Sequence, residues 1–301
     1  MRVVVFGAGG ILGQHMRRCV PPDVEAVYTR LHGGPDGDVA LDLTHDYDRA
    51  AFLSQYQPHV IVNLAGEGRT DVVEADPQTF HRINTIVPSL LAQWCHRHGA
   101  YLVQASSQGV FSGASPPYER NSLRAPVNTY GWQKKHAEDN VGAFCEGYCI
   151  ARLTFVLGMR PHLREGRPNP FEHMLLDDTQ QQVDDRWFSV SFARDAAHVL
   201  WQIACERGWT RVENIGHGGT RWSRFDLART VAAAAGIHPR IEPVHHDDAY
   251  PNLAPRPLDT HYDGSALHVR SFDENLHEAI DDWRRVLRDG LVDAKGGYAG
   301  P

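Results

Sequence analysis

Short apolar runs alternate with amphipathic stretches through the first half of this 301-residue chain. Arg2–Phe6 reads as a buried strand, followed by a glycine-rich turn and a helix that ends before Pro21-Pro22. Further strands are expected at Val24–Tyr28, Val39–Leu43, His59–Leu64, Tyr101–Ala105 and Tyr148–Thr154. Amphipathic segments between them predict a helix running to about Gln57, a long one over Thr79–His98, and one that carries Tyr130. Such alternation builds a parallel sheet covered by helices on both faces.

The pattern changes beyond Gly158. Residues 159–182 are rich in Arg, Pro, His and Gln and offer no clear strand, and 238–270 are irregular with five prolines. Between these stretches lie a short strand at Arg186–Val190, a helix at Ala193–Arg207, a strand at Val212–Ile215 and a helix at Arg224–Ala235. Phe272–Asp289 reads as a last helix. The expected fold is α/β: a Rossmann-like doubly wound parallel sheet with a smaller C-terminal substrate lobe. The sheet would take residues 1–158, with 186–235 returning to it, and the lobe 159–185 and 236–301. Ligands of open α/β sheets bind at the C-terminal strand ends, so the lobe should sit there.

Composition narrows the partners. A formal charge of −7 argues against general affinity for nucleic acid or anionic membrane. A ligand bearing phosphates would then need locally placed arginines and amides. Five scattered cysteines read as reduced thiols of a cytosolic protein. No apolar run reaches membrane-spanning length and Met-Arg-Val-Val-Val is too short for a signal segment, so a soluble, cytoplasmic protein is expected. His245-His246-Asp247-Asp248 has ligand-like residues, but neighbours in sequence do not easily converge on one ion. A solvated loop and no metal site are expected.

Gly7-x-x-Gly10-x-x-Gly13 follows the first strand directly. Glycines there permit a tight strand-to-helix turn and close approach of a pyrophosphate, which meets the free amides at the helix start, those of Ile11 and Leu12 among them. Beyond the second strand, Tyr28-Thr29-Arg30 offers an arginine and no acid, which points to NADP(H) before NAD(H). Asp42-Leu43 can reach an adenine through the carboxylate and the following amide. Asn63-Leu64-Ala65-Gly66 ends the fourth strand with small residues beside the dinucleotide.

Tyr130 and Lys134 are four apart on a helix and share a face. An ammonium that close favours an ionised phenol, so the tyrosine is expected to be acidified and to pass a proton to a carbonyl as a hydride arrives. Lys135 lies about 100° further round and faces elsewhere. Ser107, just past the fifth strand, can hold the substrate oxygen against the phenol. Glu67 and Arg69, Gln108 and Arg256 are expected to face substrate, and Arg160, Arg164 and Arg167 are candidates to clamp a diphosphate.

At these residues the chain resembles the extended short-chain dehydrogenase/reductases, and within them the dTDP-4-dehydrorhamnose reductase group. The likeness runs almost end to end: Asn63–Glu74, Ser106–Gly113, Pro117-Tyr118-Glu119, Pro126–Lys134, Arg152, Val183-Asp184-Asp185 with Ser189, and Arg256-Pro257 through Ser265. The resemblance implies a catalytic triad of Ser107, Tyr130 and Lys134, with Gly7, Gly10, Gly13, Asp42 and Asn63 holding the dinucleotide. It also implies reduction of a keto group on a nucleotide-linked or related sugar. Gln108-Gly109 replaces the group's Asp-Tyr, Val72 its Lys, and Trp187-Phe188 a smaller pair, so a substrate other than the rhamnose precursor is expected, with Trp187 among its contacts. Epimerases, dehydratases and lyases of the superfamily, which keep their nicotinamide bound, are the alternative enzymes. The regulatory β subunit of methionine adenosyltransferase is also similar, including an Arg-x-Asp-Val-Val-Glu run like Arg69–Glu74. Fold likeness alone does not separate an enzyme from such a binding module. The Thr79–His98 and Tyr130 helices are the expected faces of a homodimer.

Overall fold

Alternation within each strand decides which side chains meet which helices. In the computed structural model, which describes residues 1–34, 37–160, 169–209, 211–249 and 253–289, β1 (Arg2–Phe6) lies at the centre of a seven-stranded sheet. On one side of β1 stand β2 (Glu25–Arg30) and β3 (Val39–Ala40). On the other stand β4 (Val60–Asn63), β5 (Tyr101–Ser107), β6 (Tyr148–Leu153) and β10 (Val212–Ile215). Every pairing in this sheet is parallel. Val3 and Val5 point to the face covered by α1 (Ile11–Arg18) and α8 (Ala193–Glu206), where Met16, Ala197 and Leu200 are buried. Val4 and Phe6 point to the opposite face, under α2 (Asp46–Tyr56), α5 (Val87–His98) and α6 (Thr129–Phe144). The direction of winding reverses between β1 and β4, which opens a crevice at their C-terminal ends. This is the doubly wound, Rossmann-like sheet expected from the alternation.

Two details of this half differ from expectation. The third strand stops at Ala40, because Asp42 turns the chain by accepting the Thr44 amide at 2.8 Å and the Thr44 hydroxyl at 2.7 Å. The expected Thr79–His98 helix is a run of unlike pieces preceded by α3 (Thr70–Ala75). Asp76 caps α4 (Pro77–His81), a widened π-turn spans Arg82–Ile86, and α5 follows. Pro88 brings no amide to the first turn of α5, and the π-turn falls just ahead of it.

A second core gathers the elements near the crevice. β7 (Phe155–Leu157), β9 (Phe188–Phe192) and β11 (His217–Trp222) form a three-stranded sheet, and β8 (Thr179–Val183) pairs with β12 (Arg240–Val244). α7 (Pro170–Leu176), α9 (Arg224–Ala235) and α11 (Phe272–Arg288) pack on them through Phe171, Leu227, Val231, Ile280 and Trp283. α10 (His246–Ala249) is a single exposed turn. Within 186–235, then, α8 and β10 return to the large sheet, whereas β9, β11 and α9 belong to this second core. The strand expected at Arg186–Val190 lies at Phe188–Phe192, two residues on, and is buried throughout. β8 and β12 fall in stretches that the sequence left irregular. β8 reads Thr-Gln-Gln-Gln-Val, with glutamines at two of its three buried positions, and β12 carries Pro243 at a sheet edge.

All five cysteines are free thiols. Among the described residues no helix is long and apolar enough to cross a membrane.

Candidate active site

The glycine turn is shaped by what surrounds it. Gly7 has φ +81°, and a β-carbon there would stand 2.7 Å from the Ala65 amide nitrogen. One at Gly13 would stand 2.5 Å from Ala8 Cα and 2.8 Å from the Gly7 carbonyl oxygen. Only glycine lets the loop lie this close to the end of β4 and to its own helix. Gly10 caps α1 with no side-chain hydrogen bond. The Ile11 and Leu12 amides at the start of that helix precede the first i→i−4 bond, from the Gln14 amide to Gly10. A backbone cradle with amides facing out suits a pyrophosphate.

The other expected dinucleotide residues divide. Arg30 lies against the loop, with Nε 3.7 Å from where a Gly9 β-carbon would be. Contrary to expectation an acid does stand nearby: Asp38 is buried, accepts Arg30 Nε at 2.7 Å and pairs also with Arg17. It escaped notice because it lies eight residues on, across a turn. Asp42 is partly exposed beside the end of β3. Burial opposes its ionisation, but the Thr44 hydrogen bonds and nearby His45 and Arg82 hold it below the usual carboxylate range. Leu43 turns inward to the core. Asn63 is fully buried, where its amide donates to Gln104 Oε1 at 2.8 Å and its oxygen accepts the Ala65 amide at 3.2 Å. Its side chain braces the ends of β4 and β5, while the Leu64-Ala65 backbone packs against Gly7.

β5 and α6 bring Ser107, Tyr130 and Lys134 into one region. Ser107 ends β5, and its hydroxyl accepts the Gly109 amide at 3.1 Å, while its Oγ and the Tyr130 ring both come within 3.5 Å of where a Gly109 β-carbon would stand. α6 approaches this loop at Gly131, where a β-carbon would meet the Gly109 carbonyl oxygen, so glycine after Tyr130 permits the contact. Lys134 is buried one turn further on and donates to the Ala105 carbonyl at 2.7 Å. Burial lowers its ammonium to about 8, with Glu138 opposing. The expected acidification of Tyr130 by Lys134 is not what the geometry produces. Burial pushes the phenol above its ordinary value; the neighbouring Ser107 hydroxyl works the other way and the Glu67 carboxylate adds to the rise. The ammonium is aimed at a backbone carbonyl, and the desolvation of a phenolate outweighs it.

A cavity of about 620 Å³ opens in front of this group, a size that fits a small organic ligand. Ser107, Gln108, Gly109 and Tyr130 form one wall, and Arg69, Arg186, Arg224 and Arg256 contribute four guanidinium groups. Arg69 is clamped to Glu67 through 2.6 and 3.0 Å contacts, so Glu67 sits behind Arg69. Arg256 donates to Asp71 at 2.6 Å, which makes it part of an ion pair across the cavity mouth.

Trp187 faces away. It bridges to Asp259, lies under the Arg221 guanidinium at 4.9 Å, and is not among the cavity-lining residues. Arg186 and Phe188 line the cavity in its place, because side chains two apart share a face of an extended strand. Phe155 packs on Phe188 at a tilt of 37°, with ring centres 4.6 Å apart. That alternation was the signal available for Arg186 and Phe188; Arg224, the first residue of α9, had none.

Arg160 is a buried partner of Glu172, at 2.9 and 3.1 Å, and serves α7. Arg164 and Arg167 lie outside the described residues. Asp184, Asp185 and His245 are the group among the described residues whose ligand atoms lie within 4.8 Å of one another, and His245 is exposed.

With strand order, glycine cradle and Ser–Tyr–Lys geometry in place, the chain matches the RmlD substrate binding domain family over residues 1–295. It belongs to that family. Methionine adenosyltransferase 2 subunit beta of Xenopus tropicalis is 27% identical over 223 residues, covering 72% of this chain and 66% of that protein. The chain thus spans just under two thirds of that relative. The dTDP-4-dehydrorhamnose reductase of Escherichia coli (strain K12) is 24% identical over 303 residues, covering 94% of this chain and 95% of that one. A crystal structure of the Bacillus anthracis dTDP-4-dehydrorhamnose reductase in complex with NADP has the same fold. Its TM-score is 0.80 at 22% identity, covering 93% of this chain and 99% of that one. An RmlD-type extended short-chain dehydrogenase/reductase scaffold is therefore shared with proteins of different names.

Proposed function

We propose that this chain is a reductase that uses NADPH, with NADH as the lesser alternative, to reduce a keto group on a nucleotide-linked or related polar sugar. The observation that carries the reading is that Ser107 and Tyr130 stand together beside Gly109 in the lining of a 620 Å³ cavity at the C-terminal edge of the sheet. The cradle of Gly7, Gly10 and Gly13, with the amides of Ile11 and Leu12, would hold the pyrophosphate. Arg30 would meet the adenosine end. A reduced nicotinamide bound there supplies hydride.

The chain's own part is to hold the ketone and deliver a proton. Ser107 orients the carbonyl oxygen, and Tyr130 donates its proton as negative charge develops there. A phenol kept above its ordinary pKa is protonated at neutral pH and so is ready to donate. Lys134, lowered to about 8, keeps most of its charge at neutral pH beside this site. The guanidinium groups of Arg69, Arg186 and Arg224 favour an anionic substrate in a chain of net negative charge.

The test is consumption of NADPH with a panel of nucleotide-linked ketosugars. Tyr130→Phe should cut turnover by about 10²–10⁴-fold while binding NADPH as the parent does. Parent-like turnover in that variant excludes the mechanism. Product formed without net oxidation of NADPH would instead favour an epimerase, dehydratase or lyase.

A second reading has its own support in the 27% identity to a methionine adenosyltransferase subunit. On that reading the same crevice binds a dinucleotide for structural or regulatory ends. Fixed-stoichiometry co-purification with an adenosyltransferase, without ketosugar turnover, would favour it.

A further inference from the structure

Helix α6 has no acidic residue in its first turn, although its amides there carry the positive end of the helix dipole. The negative charge comes from α3 instead. Glu74 Oε2 accepts the Thr129 amide at 2.9 Å, one residue ahead of Tyr130. Asp71, three residues earlier on α3, reaches the same turn by a second route. Its Oδ1 accepts the Ala254 amide at 3.1 Å and its Oδ2 accepts Arg256 Nη2 at 2.6 Å. Between those two residues the Pro255 carbonyl accepts Asn128 Nδ2 at 2.8 Å. Asn128 in turn caps α6, its Oδ1 accepting the Gly131 amide at 2.9 Å.

From this convergence we infer that Asp71 and Glu74 are positioning residues for the reaction. They form an acidic clasp that sets the first turn of α6, and with it the Tyr130 phenol, relative to Ser107. The inference rests on the reading of Tyr130 as proton donor. Other contacts fix the rest of the helix: Gln133 donates to the Pro77 carbonyl at 2.9 Å and Gly131 abuts Gly109. The clasp therefore governs fine placement and leaves the existence of α6 to those contacts. Asp71 and Arg256 both line the cavity, so a bound substrate touches the clasp that aims the phenol.

Glu74→Ala, Glu74→Gln and Asp71→Ala would be compared with the parent by steady-state kinetics, NADPH titration and amide exchange at α6. Glu74→Ala should lower kcat about tenfold or more, since small misplacements of a catalytic group cost heavily, with KM for NADPH within about twofold of the parent. Glu74→Gln keeps an oxygen that accepts the Thr129 amide, so it should recover most of the rate. Asp71→Ala should lower kcat in the same way, and in both alanine variants the Thr129 and Gly131 amides should exchange faster. Equal losses in Glu74→Ala and Glu74→Gln, or unchanged kcat with unchanged exchange in both alanine variants, would overturn the clasp. Should Glu74→Ala not fold, Asp71→Asn, which weakens the hold on Arg256, carries the same comparison. If the parent reduces no ketosugar, the reductase reading fails by itself, and exchange at Thr129 and Gly131 still decides whether the clasp exists.

Discussion

Glu138 holds Arg152 in a two-point ion pair inside the protein, Oε1 to Nε at 2.9 Å and Oε2 to Nη2 at 2.7 Å, with both side chains 3% exposed. Arg124 adds a third contact, to Oε2 at 3.0 Å, and the Ser106 hydroxyl donates to Oε1. Glu138 lies one turn beyond Lys134, so this network underpins the helix that carries the proposed catalytic pair. Arg152 also donates to the Arg120 carbonyl at 2.8 Å and lies over the Phe111 ring at 5.2 Å.

Removing one partner of such a pair strands the other. Arg152→Met should destabilise the fold by about 3–5 kcal/mol, because Glu138 would stay buried with only Arg124 opposite. Neutralising both residues should cost less than the single change. Urea unfolding with an unchanged m-value is the measurement, and a loss below about 1 kcal/mol would show that the pair is replaceable.

Acid should weaken the protein well above the range where carboxylates titrate. Burial lowers both His15 and His217 to about 4, against 6.5 in an unfolded chain. Between those values the unfolded chain takes up protons that the fold refuses. Stability is therefore fully present above pH 6.5 and declines as pH falls through the window. At pH 5.5 the loss is on the order of 1 kcal/mol for each imidazole. His217→Gln should flatten part of the decline between pH 7 and 5, and parallel curves for parent and variant would exclude this cause.

Arg30 should discriminate between the two dinucleotides. Arg30→Ala is expected to weaken NADPH binding about tenfold or more while leaving NADH within about threefold, because only NADPH carries the 2′-phosphate that an arginine can meet. Titration with each nucleotide measures it. Equal weakening of both would mean that Arg30, through Asp38, only braces the glycine loop.

The large sheet was legible because its strands are apolar runs separated by turn residues, a pattern set by burial on both faces. The glycine loop, Ser107, Tyr130 and Lys134 were legible because their spacing is fixed by local backbone geometry. Their electrostatics were not: whether Lys134 faces a phenol or the Ala105 carbonyl depends on how α6 sits on β5, and no local spacing records that. β8 was hidden by its glutamines and β12 by Pro243, both tolerated where a short two-stranded sheet needs little burial. Trp187 was misassigned because a strand start displaced by two residues hid which of Arg186, Trp187 and Phe188 looked into the cavity. Asp38 escaped for a different reason, since its partner Arg30 is joined to it only through a turn.

The backbone passes between the two cores repeatedly: out from β6 to β7 and β9, back through α8 and β10, and out again into β11 and α9. The Tyr262 hydroxyl then ties the later segment to the Arg152 carbonyl at 3.2 Å. Among the described residues the two cores are joined at several crossings and not by a lone linker. A single cut in the chain would therefore not liberate either half as an intact body.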